Sequence, residues 1–404
     1  MIPRLKPPIG REEIQALFSF NPDLIEKLER NFSKTFSTRC AAAFPYGRSA
    51  LWAFFQAMGI KHAEIIQPAY TCSVVGHATV LSGNIPRFVD INLTDYNMDL
   101  ELFAEAINER TRAVIPTHIF GYPMNVEKVQ EIVRDAENRY GHKIYVVQDC
   151  AHSFEAEWKG RSVINYGDAA LFGLGISKQI TSIFGGVMTT NDPEIAEMLS
   201  AWRDTHFREK SWLEKWKRRF YLLASAAAFT GFTYGFTYWL QKNTPLLKRL
   251  TDAYHLDEAI HFPPDFDHNL SAPEAAVGIE QLNKYKDFKK KRREIARNYF
   301  ENLSPPKDWV MPPAVEGATY SHFVIRVPDR EQVLKSAAER GVQFGQLIEY
   351  SMPHLPAYRE YAKGGNFPNS LLASRTTINL PLYPSLTAQD QKKILAQTQK
   401  FDKM

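Results

Sequence analysis

The stretch Ile-Tyr-Val-Val-Gln-Asp-Cys-Ala-His, residues 144–152, carries most of the information about the fold. Its first four residues are apolar without alternation, which is typical of a strand buried on both faces of a parallel sheet. Asp149 follows directly, so we expect it at the strand's carboxyl end, where open α/β sheets bind ligands. A carboxylate there can pair with a cationic group such as a protonated pyridine nitrogen. It can equally cap a helix that starts at Cys150.

Apolar strand patterns and amphipathic helix patterns alternate on both sides of this stretch. Such alternation predicts an α/β fold whose sheet is mostly parallel and covered by helices on both faces. The predicted strands are residues 64–66, 85–89, 113–116, 144–147, 169–172, 186–190 and 323–327. The predicted helices are residues 11–35, 50–58, 126–140, 272–300, 330–340 and a last helix after Thr387.

The length and the pattern together predict two domains and an insertion. A chain of 404 residues is long enough for two domains. We expect a large ligand-binding domain over residues 1–204 and a smaller α+β domain over residues 263–404. Between them, residues 205–262 interrupt the alternation with an apolar stretch that has basic and aromatic flanks.

Composition narrows the class of protein. A hydrophobic content of 44% allows a large core and argues against wholesale disorder. The net charge of +4 is too small to argue for nucleic acid. The three cysteines suit a reducing compartment and form no metal-binding pattern. The first residues lack the apolar segment of a secretory signal, so we expect a cytoplasmic protein.

Two further segments carry groups that could act on one ligand with Asp149. Lys178 has apolar and glycine neighbours, in which a lysine loses its proton more readily and can form a Schiff base with an aldehyde. Gly47, Arg48 and Ser49 precede a predicted helix, whose N-terminal amides attract phosphate. Each signal has an ordinary alternative. Lys178 could be a solvated surface lysine, and Gly47, Arg48 and Ser49 could be a capped helix start without a ligand.

Taken in order, the motifs of this chain resemble the DegT–StrS family of sugar aminotransferases. The resemblance extends from about residue 2 to about residue 400, apart from residues 205–262. The matching segments are Gly-Arg-Ser-Ala-Leu (47–51), Gln-Pro-Ala-Tyr-Thr (67–71), Phe-Val-Asp-Ile (88–91), Tyr-Asn-Met-Asp (96–99), Pro-Thr-His (116–118), Gln-Asp-Cys-Ala-His (148–152), Ser-Lys (177–178) and Leu-Pro-Leu-Tyr-Pro (380–384).

This resemblance implies the aspartate-aminotransferase fold (type I) and pyridoxal 5'-phosphate as cofactor. It implies that Lys178 holds the cofactor as a Schiff base and moves a proton between cofactor and substrate. Asp149 is expected to pair with the pyridine nitrogen, and His152 to lie near the phenolic oxygen. The implied reaction transfers an amino group, from L-glutamate, to a keto-sugar linked to a nucleotide.

The phosphate site and one wall of the ring site differ from the family pattern. Gly47, Arg48 and Ser49 are expected to hold the phosphate, with Asn269 reaching it from the second subunit of a homodimer. Cys72 stands where an aromatic residue usually stacks on the ring. Gly173 replaces a frequent serine, and Asp267 aligns with the asparagine of the second subunit, so that either Asn269 takes that part or the loop is shifted.

Three other functions stay open at this stage. The first is dehydration or epimerisation of the same kind of sugar, against which the presence of Lys178 argues. The second is a regulator that binds the cofactor without turnover. The third is an aminotransferase that acts on a lipid-linked sugar.

The third alternative is suggested by the insertion. Residues 221–240 carry no formal charge, but their threonines, glycines and aromatic residues make them only modestly hydropathic. Residues 212–242 are expected to lie on a membrane surface, with Lys215–Arg219 on anionic lipid, or to pack within the dimer. The basic run 289–293 could extend that surface, although a solvated helix face is the simpler interpretation.

Overall fold

The computed structural model describes residues 1–230, 233–243 and 259–403. Its strands are β1 Cys40–Phe44, β2 Glu64–Pro68, β3 Ile85–Val89, β4 Thr111–Val114, β5 Tyr145–Asp149, β6 Glu157–Trp158, β7 Arg161–Ser162, β8 Ala169–Gly173, β9 Gly186–Thr190, β10 Phe323–Arg326 and β11 Thr377–Leu380. Its α-helices are α1 Arg11–Ala16, α2 Leu24–Phe36, α3 Gly47–Ala57, α4 Ser73–Leu81, α5 Leu100–Ala106, α6 Val126–Tyr140, α7 Pro193–His206, α8 Trp212–Ala228, α9 Tyr234–Asn243, α10 Ala272–Asn302, α11 Arg330–Glu339, α12 Pro368–Thr376 and α13 Ala388–Thr398.

The central sheet has seven strands in the order β1-β9-β8-β5-β4-β2-β3. The strands from β8 to β3 pair in parallel, while β9 runs antiparallel to both of its neighbours. The predicted α/β class with a mostly parallel sheet is therefore confirmed. Strands β10 and β11 form a separate antiparallel pair in the C-terminal part of the chain.

Helix α10 joins two of the hydrophobic cores. Its first half packs Leu282 and Tyr285 into the core between the sheet and helix α2. Its second half packs Ile295 and Tyr299 into the core around β10 and β11. The expected domain boundary near residue 262 stays a prediction, because this one helix contributes to both cores.

Most of the predicted elements exist, some with shifted ends. Strands β3 and β9 and helix α6 have the predicted bounds, and α3 begins three residues earlier than predicted. The helical pattern over residues 11–35 is two helices, because the chain leaves the helical conformation between Ala16 and Leu24. The elements that were not predicted include β1, β6, β7, β11, α4, α5, α7 and α12.

The insertion contributes two helices to the described structure. Helix α8 turns Arg218, Arg219 and Leu222 towards the protein, while α9 follows after a break. Among the described residues, no helix is both long and apolar enough to cross a membrane. Residues 244–258 of the insertion lie outside the described part of the chain.

Candidate active site

The strand register brings three predicted site segments to one edge of the sheet. Asp149 pairs with Leu171 of β8, two residues before Gly173 ends that strand. Gly173 and Phe44 both pair with Gly186. The segment after Phe44, which starts helix α3, therefore lies at the same edge as Asp149 and the loop that carries Lys178.

Asp149 is buried at this edge and has few partners. Its Oδ1 accepts a hydrogen bond of 3.0 Å from the amide of Ala151, and its Oδ2 lies 3.5 Å from Thr117 Oγ1. No helix follows Asp149, because residues 150–156 form turns, so the alternative that it caps a helix is wrong. Burial raises the pKa of Asp149, whereas the Ala151 amide and the positive charge of Lys178 oppose that rise. A cation placed against its free lone pairs would stabilise the ionised carboxylate.

Lys178 lies in the loop after β8 and its side chain runs past Gly173. A methyl group at Gly173 would lie 3.4 Å from Cε of Lys178 and 3.7 Å from Cβ of Ala151. Lys178 is partly buried, and its amine forms no hydrogen bond or ion pair with any described residue. The amine is therefore available to a ligand at the edge that holds Asp149.

The N-terminus of helix α3 fits an anion. Tyr46 precedes the helix in an extended conformation, and no side chain among the described residues caps it. The amides of Gly47, Arg48 and Ser49 consequently lack intrahelical acceptors. A Cβ at Gly186 would lie 2.4 Å from the nitrogen of Gly47, so only glycine allows this close approach.

The side chains of these residues differ in availability. The hydroxyl of Ser49 donates to the carbonyl of Phe266 at 2.6 Å, which leaves mainly its amide for a ligand. Arg48 has no carboxylate partner among the described residues, and its guanidinium lies 5.8 Å from the centre of the Tyr46 ring. Within the described residues, the guanidinium of Arg48 is thus not paired with an anion and lies beside the helix start.

His152 is buried next to the same edge, in a turn rather than in the first turn of a helix. Its Nδ1 has no hydrogen-bond partner within the described structure. Burial, with the charges of Lys178 and His322, lowers its pKa well below the usual range, so the ring is neutral. This nitrogen is therefore open to a hydrogen bond from a ligand at the same edge of the sheet.

Cys72 and Asn269 form no hydrogen bond with Asp149, Lys178 or His152 among the described residues. Cys72 is half-buried and precedes helix α4; its neighbour Thr71 lies 3.5 Å from Thr117. Asn269 donates to Glu209 at 3.1 Å, and Asp267 pairs with Arg208 at 3.1 Å. The roles of Cys72 against a ring and of Asn269 on a phosphate stay predictions.

A cavity beside Lys178, called here the Lys178 cavity, contains residues that the sequence did not reveal. It is lined by residues 4–8 and 176–178, Arg292, Ser321, His322, Asn379 and residues near Leu382. Arg292 was expected on a solvated helix face with Lys289–Arg293, and that expectation is wrong. The helical spacing of Arg292 from Ile295, Ala296 and Tyr299 could have shown that it faces the core.

The unpaired groups together fit pyridoxal phosphate. A phosphate matches the uncapped start of α3, and a protonated pyridine matches the buried carboxylate of Asp149. An aldehyde matches the free amine of Lys178. No group of three His, Cys, Asp or Glu residues that could hold a metal occurs in the described ranges.

Known proteins share the sequence pattern and the fold. The pattern of the DegT/DnrJ/EryC1/StrS aminotransferase family matches residues 16–399. An uncharacterized protein of Methanocaldococcus jannaschii is 29% identical, covering 96% of this chain and 94% of its own. The sugar aminotransferase CalS13 from Micromonospora echinospora superposes with a TM-score of 0.78 at 17% identity, covering 99% of this chain and 100% of its own. GDP-4-keto-6-deoxymannose-3-dehydratase (ColD) superposes with a TM-score of 0.76 at 17% identity, covering 98% of this chain and 100% of its own.

This chain therefore belongs to the DegT/DnrJ/EryC1/StrS aminotransferase family. The expected family, the aspartate-aminotransferase fold and the enzyme class are confirmed. Membership of the family implies use of pyridoxal phosphate or its amino form.

Proposed function

We propose that this protein is a pyridoxal-phosphate-dependent aminotransferase that moves an amino group from an amino acid to a keto-sugar. The single observation that carries the proposal is the unpaired amine of Lys178, which lies at the sheet edge with buried Asp149. The pattern of the family and the likeness to CalS13, a sugar aminotransferase, support the class of acceptor. A nucleotide-linked sugar and L-glutamate remain the expected substrates.

Two sets of residues would bind the phosphate of the cofactor and attach its aldehyde. The amides of Gly47, Arg48 and Ser49, with the guanidinium of Arg48, would hold the phosphate. Lys178 would attach the cofactor through Nζ, and the released amine would carry a proton to and from the substrate carbon.

The ring of the cofactor has two further partners. Asp149 would hold a proton on the pyridine nitrogen, and neutral His152 would offer Nδ1 to the ring's oxygen substituent. When bound, the cofactor supplies an electron sink for the carbon that loses its proton.

Peptide mapping tests the assignment of Lys178. The protein is incubated with pyridoxal phosphate, reduced with borohydride and digested, and the added mass is located by mass spectrometry. We expect the mass on the peptide with Lys178 and none in the Lys178→Ala variant. Labelling of another lysine, with Lys178 unmodified, would contradict the proposal.

Sugar dehydration is the main rival reaction, because ColD shares the fold. The rival predicts a deoxygenated sugar product without net uptake of nitrogen. Incubation with ¹⁵N-labelled L-glutamate and a keto-sugar nucleotide separates the two. Nitrogen in the sugar supports transamination, and its absence with loss of a hydroxyl supports dehydration.

We infer a homodimer, as the resemblance implies, with Asn269 of each copy near the phosphate site of the other. The bond from Asn269 to Glu209 would then be exchanged for one to the phosphate. Light scattering measures the mass of the assembly. A monomer that turns over substrate would refute this arrangement.

We propose further that the insertion contacts an anionic membrane surface. Trp212, Leu213, Trp216, Phe220 and Leu223 form one apolar stripe along α8 and are exposed, with Trp212 and Phe220 each 73% exposed. Phe236 and Trp239 of α9 are exposed as well. Lys217 is exposed on α8, whereas Arg218 and Arg219 are buried and cannot reach lipid, which corrects the expectation for Lys215–Arg219.

The exposed stripe of α8 can be tested without disturbing the core. Wild type should sediment with vesicles of phosphatidylglycerol and phosphatidylcholine at low salt. The double variant Trp212→Ser, Phe220→Ser should bind at least about tenfold more weakly, because it removes two apolar side chains that the lipid surface would bury. Leu102→Ser and Leu372→Ser, exposed apolar residues elsewhere, serve as controls. Unchanged sedimentation with an altered oligomeric mass would show instead that the stripe packs within the dimer.

A further inference from the structure

The loop between β8 and β9, residues 174–185, carries Lys178 and is called here the Lys178 loop. It is closed at its base, where the amide of Leu174 donates to the carbonyl of Gly185 at 2.8 Å. Strand β9 follows directly and approaches the start of helix α3. A Cβ on the first residue of β9 would lie 2.4 Å from the nitrogen of Gly47. The two segments expected to hold the cofactor's aldehyde and its phosphate are therefore in contact.

Helix α8 of the insertion packs against the Lys178 loop. Leu222 of α8 belongs to the same buried cluster as Ile183 of the loop. Ile176, which lines the Lys178 cavity, packs against that cluster as well. Ile183 has a φ of 74°, a conformation that β-branched residues rarely adopt. Such a conformation persists only where the surrounding packing holds it, so α8 supports the shape of this loop.

Arg218 of α8 lies between the end of the Lys178 loop and the start of helix α3. Its guanidinium carbon lies 4.0 Å from the centre of the Phe184 ring and 5.0 Å from that of the Tyr46 ring. The centres of the two rings are 5.7 Å apart. The Nη2 atom of Arg218 donates to the Tyr46 hydroxyl at 2.5 Å and also to Asp265. One cation therefore holds the residue before α3 against the end of the loop.

The side chain and the backbone of Tyr46 are both held by hydrogen bonds. Its hydroxyl donates to Oδ1 of Asp265 at 2.7 Å and accepts from Arg218. Burial raises the pKa of Tyr46 well above its usual value, so the hydroxyl keeps the proton that it donates. The carbonyl of Tyr46 accepts from the amide of Ala50 at 3.1 Å. A shift of Tyr46 would therefore move the amides that begin α3.

We propose that Arg218 is a positioning residue, which sets the separation between the phosphate site and Lys178 by fixing Tyr46. The inference rests on the proposed function, in which the start of α3 binds the phosphate and Lys178 attaches the aldehyde. One rigid cofactor reaches both groups only if their separation is held to within about 0.5 Å. The charge of Arg218 is itself balanced by Asp265 and Glu274, so it acts through Tyr46 rather than on the ligand.

The test compares pyridoxal phosphate with pyridoxal, which has the same ring and aldehyde but no phosphate. Each compound is titrated into the cofactor-free protein, and the visible absorption band gives its dissociation constant. Wild type should bind pyridoxal phosphate far more tightly than pyridoxal, because the start of α3 contributes only to the phosphate. The ratio of the two affinities therefore reports on the phosphate site separately from Lys178.

Arg218→Lys keeps the positive charge but replaces a planar fork with a single point of donation. It cannot reach the Tyr46 hydroxyl and both carboxylates together. We expect the affinity for pyridoxal phosphate to fall by about tenfold, and that for pyridoxal by less than about twofold. Equal falls for the two compounds, or no fall for either, would show a merely structural role and overturn the proposal.

Arg219→Lys is the matched control, because it makes the same change at the next residue of α8. Arg219 is also buried, and its Nε donates to the carbonyl of Leu17 at 2.7 Å. Its guanidinium lies against the rings of Phe20 and Trp216. The ratio of affinities should stay at the wild-type value in this variant. If it falls as far as in Arg218→Lys, general attachment of α8 controls the site and the proposal is wrong.

Tyr46→Phe tests the route without removing an ion pair, and it keeps the proposal testable if Arg218→Lys does not fold. We expect the ratio of affinities to fall by about threefold, because one hydroxyl is lost. The double variant should lose no more than Arg218→Lys alone, since both changes break the same contact. Additive losses, or an unchanged ratio in Tyr46→Phe, would overturn the route through Tyr46. Failure of the proposed function would look different, because wild type would then form no band with either compound.

Discussion

Two groups of buried charge lie near the start of helix α3, and they are satisfied in opposite ways. The first, called here the paired cluster, consists of Lys210, Arg218, Asp265 and Glu274. Lys210 contacts Glu274 at 3.5 Å and donates to the carbonyls of His268 and Asn269. The second group is the Lys178 cavity, in which Lys178 and Arg292 have no anionic partner among the described residues.

The difference separates structural charges from charges kept for a ligand. In the paired cluster, burial alone would lower the pKa of Arg218, but Glu274, Tyr46 and Asp265 raise it above the usual value. Such charges hold segments of the fold together, and removal of one leaves another uncompensated. In the Lys178 cavity, the amine of Lys178 has no hydrogen-bond or ion-pair partner among the described residues, so its removal should leave stability nearly unchanged while function is lost.

The largest effect is expected for Lys178→Met. Turnover should fall at least about a thousandfold, because the variant lacks the amine that attaches the cofactor. The free energy of unfolding should change by less than about 1 kcal/mol, since Lys178 forms no hydrogen bond or ion pair among the described residues and only its attraction to Asp149 is lost. Urea denaturation and steady-state kinetics measure both. A variant that unfolds easily would show that Lys178 is structural.

Lys210→Met makes the same chemical change in the paired cluster, where Lys210 is 3% exposed. The free energy of unfolding should fall by about 3 kcal/mol, because Glu274 loses a buried cation. The molecules that remain folded should keep wild-type kcat with saturating cofactor. Unchanged stability in urea would contradict the contrast between the two groups.

Asp149→Asn should slow turnover by about a hundredfold or more, because an amide cannot hold the pyridine nitrogen protonated. The cofactor-free variant should be more stable than wild type by about 1 kcal/mol at pH 7, since a buried carboxylate is removed. Because the pKa of Asp149 is raised in the folded protein, its carboxyl group lowers the free energy of unfolding as the pH rises through the range of that pKa. At more acid pH the carboxyl is protonated in both states, and this cost is absent. The advantage of the variant should therefore vanish as pH falls below the usual carboxyl range; an advantage that persists there would have another cause.

The smallest effect is expected for Gly173→Ser. There is room for the side chain, because a Cβ would be 3.4 Å from its nearest neighbour. A hydroxyl near the start of α3 should tighten cofactor binding by about threefold. Gly173→Ala has the same Cβ without the hydroxyl and should not tighten binding. Equal affinities for both variants would show that this position does not reach the phosphate.

The sequence predicted the sheet and its reactive edge because both depend on local patterns. Strand β5 is a continuous apolar run, and the positions of Asp149 and Lys178 after their strands follow from chain order. Helices α4 and α12 were missed because they are short and carry polar residues that face other segments.

Other features depend on contacts between distant segments. Arg292 becomes a cavity residue only because Ser321 and Leu382 meet its guanidinium. The hydroxyl of Ser49 donates a hydrogen bond to the carbonyl of Phe266, which lies 217 residues away in the sequence. The burial of Arg218 and Arg219 could not be predicted from the sequence, because it depends on which face of α8 packs against the rest of the protein.

The central claim is tested most directly by an absorption spectrum of the purified protein with pyridoxal phosphate, before and after excess L-glutamate. A visible band that bleaches to the absorption of the amino form of the cofactor is the predicted result. It would establish the cofactor, the role of a lysine amine and the donor together. No band after addition of the cofactor, or a band that no amino acid changes, would contradict the assignment of this protein as an aminotransferase built around Lys178.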